Sequence, residues 1–357
     1  MTHSEQDEHT EQEQDAEQTL PAQMQAWQWT GTGRPLTLAT VDVPEPGPGE
    51  VLLRVRAAGM CHSDVGELDE PSWAVNIHKN PITLGHEIAG DVVAVGPGVR
   101  ATGHGAGDAG VGGGTTVEDD DVVVIGGRYG VHPMGVTVPG YGRDGGYAAY
   151  HVAPAADLVP LPDGVSYAHG ALGTDAGMTS HHAVAEVAGV RSGHRVGIIG
   201  LGGVGLIGAR IAVLLGATVY AADPNPSARA LGEDIGLAGV VADAAELAGL
   251  GLDSVIDFAG FGSTAQAAVT AIRVGGTVVI VGMGAHISEL VTADVVHQKA
   301  VIRGSSGGTR EDIAAVYRYL RDGEITPVVE HLTFDRVDEG IDRLRRGDVT
   351  GRLVVTG

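Results

Sequence analysis

The sequence predicts an α/β protein of two domains, one built on a doubly wound parallel sheet and the other an irregular β domain. Three observations carry this. A glycine-rich turn, GLGGVG at 200–205, lies between a strand candidate and a helix candidate. Strand and helix candidates then alternate to residue 304, the pattern of a parallel sheet. Ahead of the turn, short apolar runs are punctuated by proline and glycine instead, which argues for strands joined by tight turns.

At 357 residues the chain is too long for one comfortable core and suits two domains. Apolar residues make up 43%, enough to bury both, but three Phe, eight Tyr and three Trp against 57 Gly mean cores of Ala, Val, Leu and Ile. A net charge of −23 offers no basic face to a nucleic acid or an anionic membrane, so neither is expected as a partner. Lys79 and Lys299 are the only lysines, an arginine bias that fits adaptation either to salt or to a GC-rich genome. The single cysteine, Cys61, excludes an internal disulfide framework, and no charged-then-apolar leader is seen. The expectation is a cytoplasmic protein.

Taken in order, residues 1–23 are polar and acidic, too poor in apolar groups to offset the entropy of ordering, and read as a disordered tail. LTLATV, PEPGPGE and VLLRVRAAG then give strands and turns. GMCHSD at 59–64 sets the only thiol beside an imidazole, a hydroxyl and a carboxylate. TLGHEIAG at 83–90 adds His86 and Glu87 ahead of another apolar run. Residues 101–114 read as a mobile glycine-rich loop, 119–125 as a strand, and 167–187 as helical, with Asp175 inside that stretch. Further strands are expected at 253–258, 276–281, 301–304 and 351–355, and amphipathic helices at 310–321 and 338–346.

The turn at 200–205 is the most specific signal for a ligand. Gly200, Gly202 and Gly205 fit GxGxxG, with Gly203 and Val204 completing the turn. The pattern needs one glycine for tightness, one for approach of a pyrophosphate and one for helix–strand packing. The strands 195–199 and 218–222 flank it, and Asp223 follows where a ribose hydroxyl would be held. The run 196–215 is long enough to cross a bilayer, but Arg210 and the glycines interrupt it, so it is read as part of a soluble domain. Catalytic zinc takes three protein ligands from Cys, His, Asp or Glu and keeps one position open, and Cys61, His86 and Asp175 can supply three.

Through GMCHSD, TLGHEIAG, GGYAAY, TDAGMT, GLGGVG with Asp223, and the terminal GDVTGRLVV, the sequence resembles the zinc-dependent medium-chain alcohol dehydrogenases over about residues 24–357. The resemblance implies a GroES-like catalytic domain at 24–175, an inserted Rossmann domain at 176–305 and a return to the catalytic part at 306–357. It makes Cys61, His86 and Asp175 the zinc ligands, with aspartate in third place as in the NAD-using secondary-alcohol branch. Glu87 is a carboxylate able to approach the metal, Asp64 orients His86, and Ser63 receives the alcohol proton and passes it through ribose and water. Hydride then leaves for the nicotinamide.

Thr179 and Arg352 are placed with the cofactor. Asp223 favours NAD over NADP, with Arg229 nearby as the one opposing sign. Homodimers or homotetramers acting on a small alcohol or ketone are implied. His62, His181 and His182 are assigned packing or supporting roles, and Trp73 is a candidate for the pocket wall.

Two departures stand out. The stretch 126–142, where relatives carry four cysteines for a structural zinc, has none, so one zinc per chain is expected. Gly66 occupies the place of a relay histidine. The competing readings are a zinc-free quinone or enoyl reductase, against which Cys61 with His86 argues, and a non-catalytic dinucleotide-binding protein, which has no use for three ligands and Ser63.

Overall fold

A computed structural model describes residues 20–103, 122–134 and 137–357. Residues 1–19 of the acidic tail expected at 1–23, most of the glycine-rich loop and the first part of the strand expected at 119–125 lie outside the described residues; Gln23 is not part of a disordered tail but opens the strand Gln23–Trp29, and a short strand at Val123–Val124 remains of the last.

Six parallel strands form one sheet in the order Gly239–Val241, Thr218–Ala222, Arg195–Ile199, Leu252–Asp257, Ile272–Ile280 and Val301–Gly304. Every adjacent pair is parallel, and the order reverses beside Arg195–Ile199, creating the crevice at which such sheets bind ligands. The central strands are continuous apolar runs because helices cover both faces. Val196, Ile198 and Ile199 are buried on the first strand and Val255 and Ile256 on its neighbour, each contributing ~1.5–3 kcal/mol of burial. The strand expected at 276–281 begins earlier, at Ile272, directly after the helix Thr264–Ala271.

The second body is a mainly antiparallel sheet centred on Glu50–Gly59, which pairs with Glu87–Val95, Tyr150–Pro154 and, from the far end of the chain, Arg352–Thr356. Val329–Thr333 pairs in parallel with that last strand. The chain's end is therefore built into the sheet that carries the motifs near residues 61 and 86.

A helical run from Tyr167 to Val187 links the two bodies, and the boundary expected at 175/176 falls inside it. Gly173 and Gly177 let the helix Arg310–Arg321 approach: a Cβ on Gly173 would stand 2.5 Å from Tyr317 Cε1, and one on Gly177 2.7 Å from Val316 Cγ1. Among the described residues no helix is long and apolar enough to cross a membrane.

Candidate metal and dinucleotide site

Cys61 precedes the helix His62–Asp69, and its backbone N–H donates to Asp64 Oδ2 at 3.0 Å, the reciprocal side-chain contact of a helix start. That bond fixes the turn and presents the thiol beyond the helix end. His86 reaches the same place from the neighbouring antiparallel strand, where Glu87 pairs with Gly59. Gly85 turns the chain with φ +93°, a conformation glycine adopts without strain, and a Cβ there would stand 2.7 Å from the Tyr147 ring. Asp175 comes from a π-helical turn, Gly173–Gly177, whose extra residue per turn re-aims a side chain and is frequent at functional sites.

The donor atoms of Cys61, His86, Glu87 and Asp175 all lie within 4.8 Å of one another. His86 Nε2 stands 3.5 Å from Asp175 Oδ2, near the ~3.3 Å edge expected between two ligands of one tetrahedral zinc. His86 Nδ1 faces Asp64 Oδ1 at 3.5 Å, which leaves Nε2 turned toward the cluster. Asp64 is itself fully buried and receives the Tyr147 hydroxyl at 2.6 Å.

Burial works to push the His86 imidazole down, but Asp64, Asp175 and Cys61 outweigh it and hold the ring well above its ordinary value. Burial also opposes ionisation of Asp175, yet His86 and Arg352 hold its carboxyl down at about 2. A concentrated negative field around a soft N/S/O donor set is what a divalent cation neutralises, and these residues fit zinc.

Glu87 belongs to this cluster and also meets Arg352. Its carboxylate pairs with Arg352 in a buried ion pair while Oε2 has no hydrogen-bond partner. Ser63 Oγ lies 3.4 Å from His86 Nε2.

The glycine turn abuts this centre. Gly200 adopts φ +87°, Gly205 packs on the Gly200 carbonyl, and Gly203 on the Arg352 stem, so none has room for a side chain. A Cβ on Gly202, by contrast, would meet nothing within 4 Å: it faces an open cleft lined by Leu201, Gly203, Asp223 and Asn225. That free approach to a backbone at a helix start fits a pyrophosphate. Asp223 accepts the Leu201 and Asn225 N–H groups, each at 2.7 Å, and so fixes the turn from beneath. Arg229 Nη1 donates to the carbonyls of Asp223 and Pro224, both at 2.8 Å.

Thr179 Oγ1 donates to Asp175 Oδ1 at 3.3 Å, which puts it beside the metal donors. His62, assigned a packing or supporting role, lines the dinucleotide cleft. His181 and His182 meet Asp312 through Nδ1 at 2.5 and 2.9 Å, joining the linking helical run to the helix Arg310–Arg321.

Glu67 and Tyr141 carried no sequence signal. Glu67 is buried beside Asp64, and burial together with that neighbour pushes its carboxyl up to about 8, with the Tyr141 hydroxyl against it. Its spacing of three from Asp64 on one helix was the only available hint.

A parallel nucleotide-binding sheet whose crevice adjoins a thiol–imidazole–carboxylate cluster defines a metal-dependent dinucleotide oxidoreductase. Residues 47–163 match the alcohol dehydrogenase GroES-like domain and 203–322 the zinc-binding dehydrogenase family. An alcohol dehydrogenase of Geobacillus stearothermophilus is 30% identical over 86% of this chain and 91% of its own, and sorbitol dehydrogenase of Gallus gallus 31% over 84% and 87%. Acetophenone reductase from Geotrichum candidum, solved in complex with NAD, superposes with a TM-score of 0.82 at 31% identity over 95% of this chain and 98% of that one. The chain belongs to the zinc-dependent medium-chain alcohol dehydrogenase family.

Proposed function

We propose that this protein is a zinc- and NAD-dependent dehydrogenase that interconverts an alcohol, of secondary type, with its ketone. The observation that carries the reading is the convergence of Cys61, His86 and Asp175 within 4.8 Å of one another, in the sheet domain to which the dinucleotide turn is tied through Arg352. When bound, zinc supplies a Lewis acid that acidifies the alcohol hydroxyl, and NAD supplies the hydride acceptor.

The chain's own groups do the rest. The Cys61 thiolate, His86 Nε2 and the Asp175 carboxylate hold one ion per chain, with Asp64 fixing the imidazole from behind. Arg352 pairs with Glu87, whose carboxylate lies among the metal donors. Ser63 Oγ accepts the substrate's hydroxyl proton. It must release that proton to solvent, because Gly66 offers no imidazole. The Gly202 backbone and Asp223 orient the dinucleotide. Asp223 disfavours a 2′-phosphate, and Arg229 is occupied by two carbonyls rather than free to bind one.

The edge strand Val301–Gly304 is exposed along its length, with Val301 and Ile302 outward and Val274 and Val296 exposed nearby. An uncovered apolar edge of this kind pairs with another chain, and a homodimer built through the dinucleotide domains accounts for it. Steady-state oxidation of primary, secondary, cyclic and polyol substrates with NAD tests the function. Turnover strongest with secondary alcohols is expected, and no turnover of any alcohol would sink the reading.

A further inference from the structure

The helical run that carries Asp175 also carries three short hydroxyl side chains close to it, Thr174, Thr179 and Ser180. A hydroxyl inside a helix ordinarily gives its proton to the carbonyl three or four residues back. Two of the three do so: Thr174 Oγ1 donates to Ala171 O and Ser180 Oγ to Ala176 O, each at 2.7 Å. Thr179 departs from that habit. Its Oγ1 donates to a side chain, Asp175 Oδ1, at 3.3 Å.

The residues next to Thr179 leave the run little freedom. Ser180 is fully buried, and its Oγ also stands 2.7 Å from the carbonyl of Val204, which caps the helix Gly205–Leu214 behind the glycine turn. His181 and His182 are held on Asp312 of the helix Arg310–Arg321. Thr179 therefore sits on a stretch tied to two other elements, four residues from Asp175 and on the same helical face.

The bond divides the Asp175 carboxylate. Oδ1 meets Thr179, while Oδ2 faces His86 Nε2 at 3.5 Å. A cysteine in this position would present a single atom to a metal. A carboxylate presents two oxygens on a softly rotating terminal bond, and it can swing or close on an ion with both. A catalytic zinc with three protein ligands and one open position has no place for a second oxygen. The Thr179 hydroxyl thus meets a demand that aspartate creates and cysteine does not.

We propose that Thr179 is a positioning residue of the metal centre: its hydroxyl holds the Asp175 carboxylate so that Oδ2 alone is offered to zinc and the position needed by the alcohol stays open. The proposal rests on the zinc-dependent reading for its metal. It does not depend on the dinucleotide, so it is tested without one.

Zinc is competed out of the folded, zinc-loaded protein with a chromophoric chelator, in the wild type and in Thr179→Val, Thr179→Ala and Thr179→Ser. Loss of a group that orients a ligand costs about 10- to 100-fold in metal affinity, expected for the valine and alanine variants, while Thr179→Ser stays close to the wild type. Zinc is spectroscopically silent, so the same proteins are also loaded with cobalt(II). Its visible bands weaken in Thr179→Val as a second oxygen raises the coordination number, and keep their intensity in Thr179→Ser. In Asp175→Cys, whose one ligand atom needs no hold, adding Thr179→Val costs no further affinity. Wild-type zinc affinity in both Thr179→Val and Thr179→Ala overturns the proposal, as do undiminished cobalt bands in Thr179→Val. A loss equally large in the Asp175→Cys background overturns it too, because the hydroxyl would then act other than through the carboxylate. A wild type that holds no zinc defeats the functional reading itself, and that result is seen before any variant is compared.

Discussion

The guanidinium of Arg352 and the carboxylate of Glu87 form an ion pair buried on both sides, joining the last strand of the chain to the residue that follows His86. The Arg352 stem also packs against Gly203 of the dinucleotide turn. One side chain thus touches both the metal centre's surroundings and the cofactor's, and fixes their spacing.

Removing one partner leaves a buried charge unpaired. Arg352→Met is expected to cost about 3–5 kcal/mol of stability, most of it recovered in the double variant Arg352→Met with Glu87→Met. Urea unfolding of the three proteins checks this. Full stability in the single variant would mean that the pair is not buried as described.

On the proposed reading, cofactor choice follows from Asp223. Its carboxylate holds the glycine turn through Leu201 and faces the cleft in which a ribose would lie. Charge-assisted hydrogen bonds of about 1.5–3 kcal/mol imply that Asp223→Ser lowers kcat/KM with NAD by about 10- to 100-fold. The loss with NADP is smaller. Steady-state kinetics with both dinucleotides decide it, and a wild type that prefers NADP contradicts the assignment.

How much of this was legible in the sequence depended on how local the signal was. The strands Arg195–Ile199, Thr218–Ala222 and Val301–Gly304 and the helix Arg310–Arg321 fall where apolar periodicity and turn residues put them. The glycine turn was specific because Gly200, Gly202 and Gly205 fit one spaced pattern, and in the fold Gly200 and Gly205 are crowded by backbone while Gly202 is open to the cleft. What the sequence hid were contacts between distant segments. Trp73 against Gly66, His286 against Trp73, and Asp312 between two histidines leave no periodic trace. His62 was passed over because a histidine next to a cysteine ligand has several ordinary roles, and only the folded cleft separates them.

His151 gives the protein a pH-dependent weakness away from the metal. The ring is 2% exposed, and burial together with Arg143 outweighs a backbone contact at Asp144 and lowers its pKa to about 3. The unfolded chain takes up a proton near pH 6.5 while the folded one does not, so stability falls as pH drops through the window from 6.5 toward 3. Between about pH 7.5 and 5 this one group removes about 2 kcal/mol. His151→Leu should abolish that part of the loss, read as the change in urea midpoint between the two pH values. An unchanged pH dependence in the variant would assign the loss to other groups.

The most direct test of the account is the zinc content of the purified protein measured beside its activity, in the wild type and in Cys61→Ala. About one zinc per chain is predicted for the wild type, with metal and alcohol oxidation lost together in the variant. A protein that turns over alcohols fully with almost no zinc, or a Cys61→Ala variant that remains active, would contradict it.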